Sequence, residues 1–158
     1  MELAGCLAEF SPGAENARLY EDVVPALVEL KAMGVRLIVT SPLSAAALER
    51  FLEIHRLNEF FAAVWSRDDV NGVKAALGGV RPERAIYITQ TAEGLNFAKD
   101  AEMRAVLMMN DPDEARKLAL RSPAGGIVSL HELPDFVRLV AAQILSNSPQ
   151  NGARGLLA

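Results

Sequence analysis

Several hydrophobic runs in this chain end in polar residues whose types suit hydrogen bonding to a ligand. The run Ala85-Ile86-Tyr87-Ile88 stops at Thr89-Gln90-Thr91-Ala92-Glu93-Gly94, and Val35 to Val39 stops at Thr40-Ser41. If these runs are strands followed by helices, the Thr40, Ser41 and Thr91 hydroxyls and the Gln90 amide stand where N–H groups opening a helix favour an anion. Lys74 by itself reads as a solvated helix residue. Asp68-Asp69 is an adjacent carboxylate pair, but Asp ahead of a helix usually caps it, and Asp111 before Pro112 reads the same way. Cys6 is the only cysteine. It reads as a small buried hydrophobe, since a reactive thiolate needs an electropositive setting. His55 and His131 show no zinc-ligand spacing and read as surface residues.

The elements that must position these groups alternate in type. Glu21 to Met33 carries Val23, Val24, Leu27 and Leu30 at helical spacing, and Gly34 ends it. Val35 to Thr40 is a β-rich run, and Ser41-Pro42 suits the start of a helix lined by Leu48, Phe51 and Leu52. Strands are predicted at Ala62 to Trp65, Ala85 to Ile88, Arg104 to Met109 and Gly126 to Ser129. Helices are predicted at Val70 to Leu77, Leu95 to Ala101, Asp111 to Leu120 and Pro134 to Leu145. Such alternation implies βαβ units, a mostly parallel sheet with helices on both faces, and ligands at the carboxyl ends of the strands.

Length and composition bound the function. At 158 residues the chain is expected to be one domain over 1–145, with a polar, disordered tail at 146–158. Hydrophobic residues make up 51 % and the net charge is -4, a soluble globular balance with no basic footprint for nucleic acid. No apolar run approaches the ~20 residues of a membrane span. The opening MELAGCLAEF lacks a basic region, so no secretory signal is expected. With a lone cysteine besides, a cytoplasmic location is expected.

From about Tyr20 to Val140 the order of segments resembles the core of the haloacid dehalogenase-like (HAD) superfamily. Leu19-Tyr20-Glu21-Asp22-Val23-Val24-Pro25-Ala26-Leu27 resembles the lead-in to the second family motif. Gly34 to Ser41 resembles that motif, a strand ending in Thr or Ser. Arg81-Pro82-Glu83-Arg84-Ala85-Ile86-Tyr87-Ile88 resembles the approach to the fourth, and Leu95 to Met103 the helix beyond it. The resemblance implies a Rossmann-like three-layer αβα sandwich without a substantial cap domain. It also implies an Asp nucleophile at the end of the first strand and an acid/base Asp two residues later. Aligning Gly5-Cys6-Leu7-Ala8-Glu9-Phe10 there puts Cys6 at the nucleophile and Ala8 at the acid/base, with Leu3 to Leu7 filling the first strand. In a second alignment residues 1–19 are a cap remnant and the first strand is missing. Gly-Asp-x-x-x-Asp of the fourth motif is replaced by Thr89-Gln90 and Gly94. Lys74, at the motif-three lysine, precedes Gln90 by 16 residues, a shorter spacing than is usual in the family.

These departures carry a chemical consequence. Mg²⁺ requires hard oxygen ligands in near-octahedral geometry. Gln90 offers one neutral amide oxygen, Gly94 none, and Cys6 a soft sulfur. Without the cation, charge on phosphoryl oxygens loses its main stabiliser. The sequence therefore points to a HAD-like protein without conventional Mg²⁺-dependent phosphohydrolase activity and without a required cofactor. Its residual role would be binding a small anion or phosphate through Thr40, Ser41, Lys74, Gln90 and Thr91, or regulation or assembly with a protein partner or a second copy. The alternative is a HAD-like phosphatase of divergent motifs that uses Mg²⁺ on a small phosphorylated metabolite.

Overall fold

The computed structural model describes residues 1–2, 5–9, 17–66 and 72–147. The described elements alternate as expected. They are β1 (Ala8–Glu9), β2 (Arg18–Leu19), α1 (Val23–Ala32), β3 (Ile38–Ser41), α2 (Ala45–Ile54), β4 (Ala63–Ser66) and α3 (Gly72–Leu77), then β5 (Ile86–Thr89), α4 (Ala92–Asp100), β6 (Arg104–Met108), α5 (Pro112–Ala119), β7 (Gly125–Ile127) and α6 (Leu133–Ser146). β3 pairs with β4 in parallel, Ile38 opposite Ala63 and Ser41 opposite Ser66. β5 pairs with β6, and β6 with β7, also in parallel. β1 and β2 form a separate antiparallel pair.

Two apolar layers cover the parallel strands. On one face Val23, Leu27 and Leu30 of α1 pack with Leu48 and Leu52 of α2, Leu133 of α6, and Val39, Ile88, Val106 and Ile127 from the strands. On the other, α3 and α4 pack against Trp65 and Tyr87, and Leu95 and Leu118 of α4 and α5 close over Leu107. Strands covered on both faces need nearly continuous apolar sequence, which β5 and β6 have. This is the Rossmann-like αβα sandwich of the sequence reading, with a largely parallel arrangement and no cap domain among the described residues.

Local chemistry moves three of the predicted boundaries. β3 starts at Ile38 rather than Val35, because Gly34 (φ +75°) and Val35 turn their N–H groups back to Lys31 and Leu30 and close the end of α1. Ser41 is the last residue of β3, not the start of a helix; Ser44 caps α2 instead, accepting the Ala47 N–H at 3.3 Å. Thr91 caps α4 and accepts the Gly94 N–H at 3.0 Å, so that helix begins before Leu95. Asp111 caps α5 as expected, accepting the N–H groups of Asp113 and Glu114. Asp68-Asp69 and residues 148–158 lie outside the described residues.

The N-terminus departs furthest from expectation. Of Leu3 to Leu7, expected as the first strand, Gly5, Cys6 and Leu7 form a turn, and Leu3 and Ala4 lie outside the described residues. Met1 and Glu2 hold the central place instead. Glu2 bridges Thr40 in parallel, the Thr40 N–H donates to the Met1 carbonyl at 2.9 Å, and the Glu2 N–H donates to the Ile88 carbonyl at 3.0 Å. These two residues are the only strand link described between the β3–β4 pair and the β5–β6–β7 sheet.

Candidate functional site

The strand order brings the carboxyl ends of β3 and β5 to either side of Glu2, which is buried. A buried carboxylate is costly unless hydrogen-bonded. Glu2 receives a short hydrogen bond from the Thr89 hydroxyl and one from the Tyr87 hydroxyl at 3.2 Å. Thr89 Oγ1 in turn accepts the Thr91 N–H at 3.0 Å, and Thr91 Oγ1 accepts the Gly94 N–H. One chain of hydrogen bonds therefore runs from Tyr87 through Glu2, Thr89 and Thr91 into the first turn of α4. The close packing requires glycine at position 94. A Cβ there would lie 2.0 Å from Thr89 Oγ1 and 2.8 Å from Glu2 Oε1.

A second contact closes the site from above. Gly5, with φ +75°, lies under the Gln90 side chain so closely that a Cβ would stand 1.8 Å from its Cδ. The Asn110 side-chain amide donates to the Gly5 carbonyl at 2.7 Å and lies 3.4 Å from the Tyr20 hydroxyl. The connection from β6 to α5 thereby anchors the turn that follows the central segment.

Of the residues expected at the nucleophile and acid/base positions, neither lies at the strand end. Cys6 is in the turn beyond it, buried in the core, and Ala8 pairs with Leu19 in β1. Burial, reinforced by the Glu2 charge, pushes the Cys6 thiol from 9.0 up to about 12. That is the setting of an inert core cysteine, not of a nucleophile. Glu2 takes the strand-end position, and Ala4 follows it two residues later in sequence. No aspartate precedes Asp22, so the expected Asp nucleophile has no match in the sequence and Glu2 is its counterpart only by position in the sheet. The signal was a lone carboxylate in an apolar run three residues ahead of Gly5.

The expected anion shell is only partly assembled. Gln90 and Thr91 share a cavity of about 280 Å³ with Asp111, Glu114, Met108 and Leu118. Two carboxylates on that wall oppose an anion. Thr40 is buried, its hydroxyl has no hydrogen-bond partner, and it lines a different cavity beneath Met1. Ser41 is buried, and its hydroxyl accepts the Leu43 N–H. Lys74 is in α3, which packs on β4; its side chain is outside the described set. Among the described residues no three of His, Cys, Asp and Glu are grouped to hold a metal ion.

The family profile described as haloacid dehalogenase-like hydrolase matches residues 8–108, well over half of the sequence. The chain belongs to that family. The match begins at Ala8, so neither Glu2 nor Cys6 lies within it. No curated protein matches. Solved structures share the HAD fold at low identity. L-2-haloacid dehalogenase from Xanthobacter autotrophicus with chloropropionic acid covalently bound is 18 % identical with a TM-score of 0.64, over 77 % of this chain and 62 % of that one. An uncharacterized protein from Listeria monocytogenes serotype 4b is 14 % identical with a TM-score of 0.71, over 89 % and 96 %. A predicted phosphoglycolate phosphatase from Haemophilus somnus 129pt is 17 % identical with a TM-score of 0.66, over 78 % and 59 %. This HAD chain thus spans about three fifths of the length of the dehalogenase and of the Haemophilus protein.

Two measurements check this geometry. Gly94→Ala should lower unfolding stability by about 1–3 kcal/mol in urea titration, because Thr89 and Glu2 must shift; an unchanged midpoint would mean the contact is loose. Native protein at pH 8 should resist iodoacetamide at Cys6 while urea-unfolded protein reacts fully. Stability should also fall as pH rises above 9.0, since the unfolded thiol ionises before the folded one near 12. Rapid stoichiometric labelling of the native protein would contradict the buried thiol.

Proposed function

We propose that this HAD-family chain does not hydrolyse phosphomonoesters with Mg²⁺ and instead serves in binding or assembly. The observation that carries the reading is the Glu2 carboxylate. It is the acidic group at the central strand end, and it is held by the Thr89 and Tyr87 hydroxyls. A carboxylate at position 94 would collide with that arrangement. Gln90, packed on Gly5, contributes at most one neutral oxygen, and Ala4 cannot transfer a proton. The described residues at this end of the sheet do not fit an octahedral Mg²⁺ site.

The same geometry argues against phosphate as the ligand. Thr91 and Thr89 already satisfy N–H groups at the start of α4, and Asp111 and Glu114 line the adjoining cavity. A protein partner, a second copy or a neutral ligand suits this end better than an anion. One observation favours the rival reading of a divergent hydrolase: Glu2 places a carboxylate where the family resemblance expects a nucleophile.

Hydrolysis of p-nitrophenyl phosphate with and without Mg²⁺, by the wild-type protein and by Glu2→Gln, separates the two. We expect equal background rates in all four conditions. Turnover that requires Mg²⁺ and is lost in Glu2→Gln would establish the hydrolase.

A further inference from the structure

Gln90 follows β5 and stands between the turn at Gly5 and the cavity that Thr91 and Ala92 of α4 share with α5. Its carboxamide is held by one face. A Cβ on Gly5 would stand 1.8 Å from Gln90 Cδ, 1.9 Å from Nε2 and 2.2 Å from Oε1. A point that close to all three atoms lies over the amide plane, not beside it. Gly5 therefore packs flat against the group and leaves the edge that carries its N–H and C=O uncovered. Among the described residues nothing hydrogen-bonds either atom.

The cavity measures about 280 Å³. That is near the lower end of the roughly 300–1,000 Å³ of ligand clefts, a size for a small molecule. Ala92, Met108, Ala115 and Leu118 give it apolar walls. The other polar side chains on the wall already have work within the fold. Asp111 Oδ1 accepts two N–H groups of α5, Glu114 Oε1 is bonded to Lys117, and Thr91 Oγ1 accepts the Gly94 N–H. Gln90 is the side chain there that offers a donor and an acceptor side by side.

A donor beside an acceptor is matched by the same pair reversed. A primary or cis amide presents that pair and closes two hydrogen bonds with Gln90 at once. An ammonium has no acceptor, and a carboxylate has no donor and brings its charge beside Asp111 and Glu114. We propose that this cavity binds a small neutral ligand by its amide edge, a primary carboxamide or a lactam, with a short hydrocarbon part against Met108 and Leu118. The second N–H of a primary carboxamide has acceptors in the carboxylates of the same wall. The assignment deepens the binding role argued above and rests on it.

The test is titration of the full chain with butyramide, followed by the backbone amide resonances of Thr91, Ala92 and Ala115 and the side-chain NH₂ of Gln90. N,N-dimethylbutyramide keeps the carbonyl and removes both donors, and butyrate replaces the amide by a charge. Saturable shifts with butyramide are expected, with the dimethyl amide binding about tenfold more weakly, the loss for hydrogen bonds left unmade. Gln90→Leu, checked for an unchanged melting temperature, should lose the saturable shifts. Equal binding of the dimethyl amide or of butyrate, undiminished binding by folded Gln90→Leu, or no saturable shift with butyramide would overturn the proposal. The comparison of the two amides on the wild-type protein decides even where the variant does not fold. The titration contains neither phosphate ester nor Mg²⁺, so its outcome is separate from that of the hydrolysis assay.

Discussion

The whole arrangement hangs on two residues held between β3 and β5. The hydrogen bonds from Thr40 to Met1 and from Glu2 to Ile88 join what are otherwise two separate groups of parallel strands. They also carry the Glu2 side chain into a space with little room for a charge. The charge is tolerated because Thr89 and Tyr87 point their hydroxyls at it, and because position 94 has no side chain. Sheet continuity, the start of α4 and the burial of the Glu2 carboxylate are therefore a single problem with one solution.

That solution constrains function. A carboxylate used as a metal ligand or nucleophile must present oxygens to the outside of the strand ends. Here they face hydroxyl donors within the protein. At the start of α4 the Thr91 and Gly94 N–H groups are likewise bonded from inside, by Thr89 and Thr91. Two of the N–H groups that could receive a phosphate are thus engaged by the fold, and Asp111 and Glu114 line the adjoining cavity.

Much of the fold was legible in the sequence. β5 and β6 are continuous apolar runs bounded by polar residues, and Asp111-Pro112 announces α5 by capping chemistry that is purely local. The absence of carboxylates at Gln90 and Gly94 was equally plain. What was not legible depended on tertiary contacts. Val35 looks like the start of a strand until its N–H is seen to close α1, and Ser41 looks like a cap although Ser44 does that work. Leu3 to Leu7 reads as a strand by its apolar residues, which puts Cys6 at the nucleophile position. Only the pairing with Thr40 and Ile88 shows that the chain is already in the sheet at Glu2. Thr40 and Ser41, adjacent in sequence, have different surroundings: Thr40 lines the cavity beneath Met1 and Ser41 accepts the Leu43 N–H.

The most direct test of a closed, metal-free strand end is paramagnetic broadening of backbone amide resonances by Mn²⁺, which shares the oxygen-ligand preference of Mg²⁺. The account predicts weak, unsaturable broadening spread over exposed carboxylates such as Glu49, Glu53 and Asp113. Saturable broadening centred on Glu2, Gln90 and Thr91, displaced by Mg²⁺, would show a metal site there and contradict it.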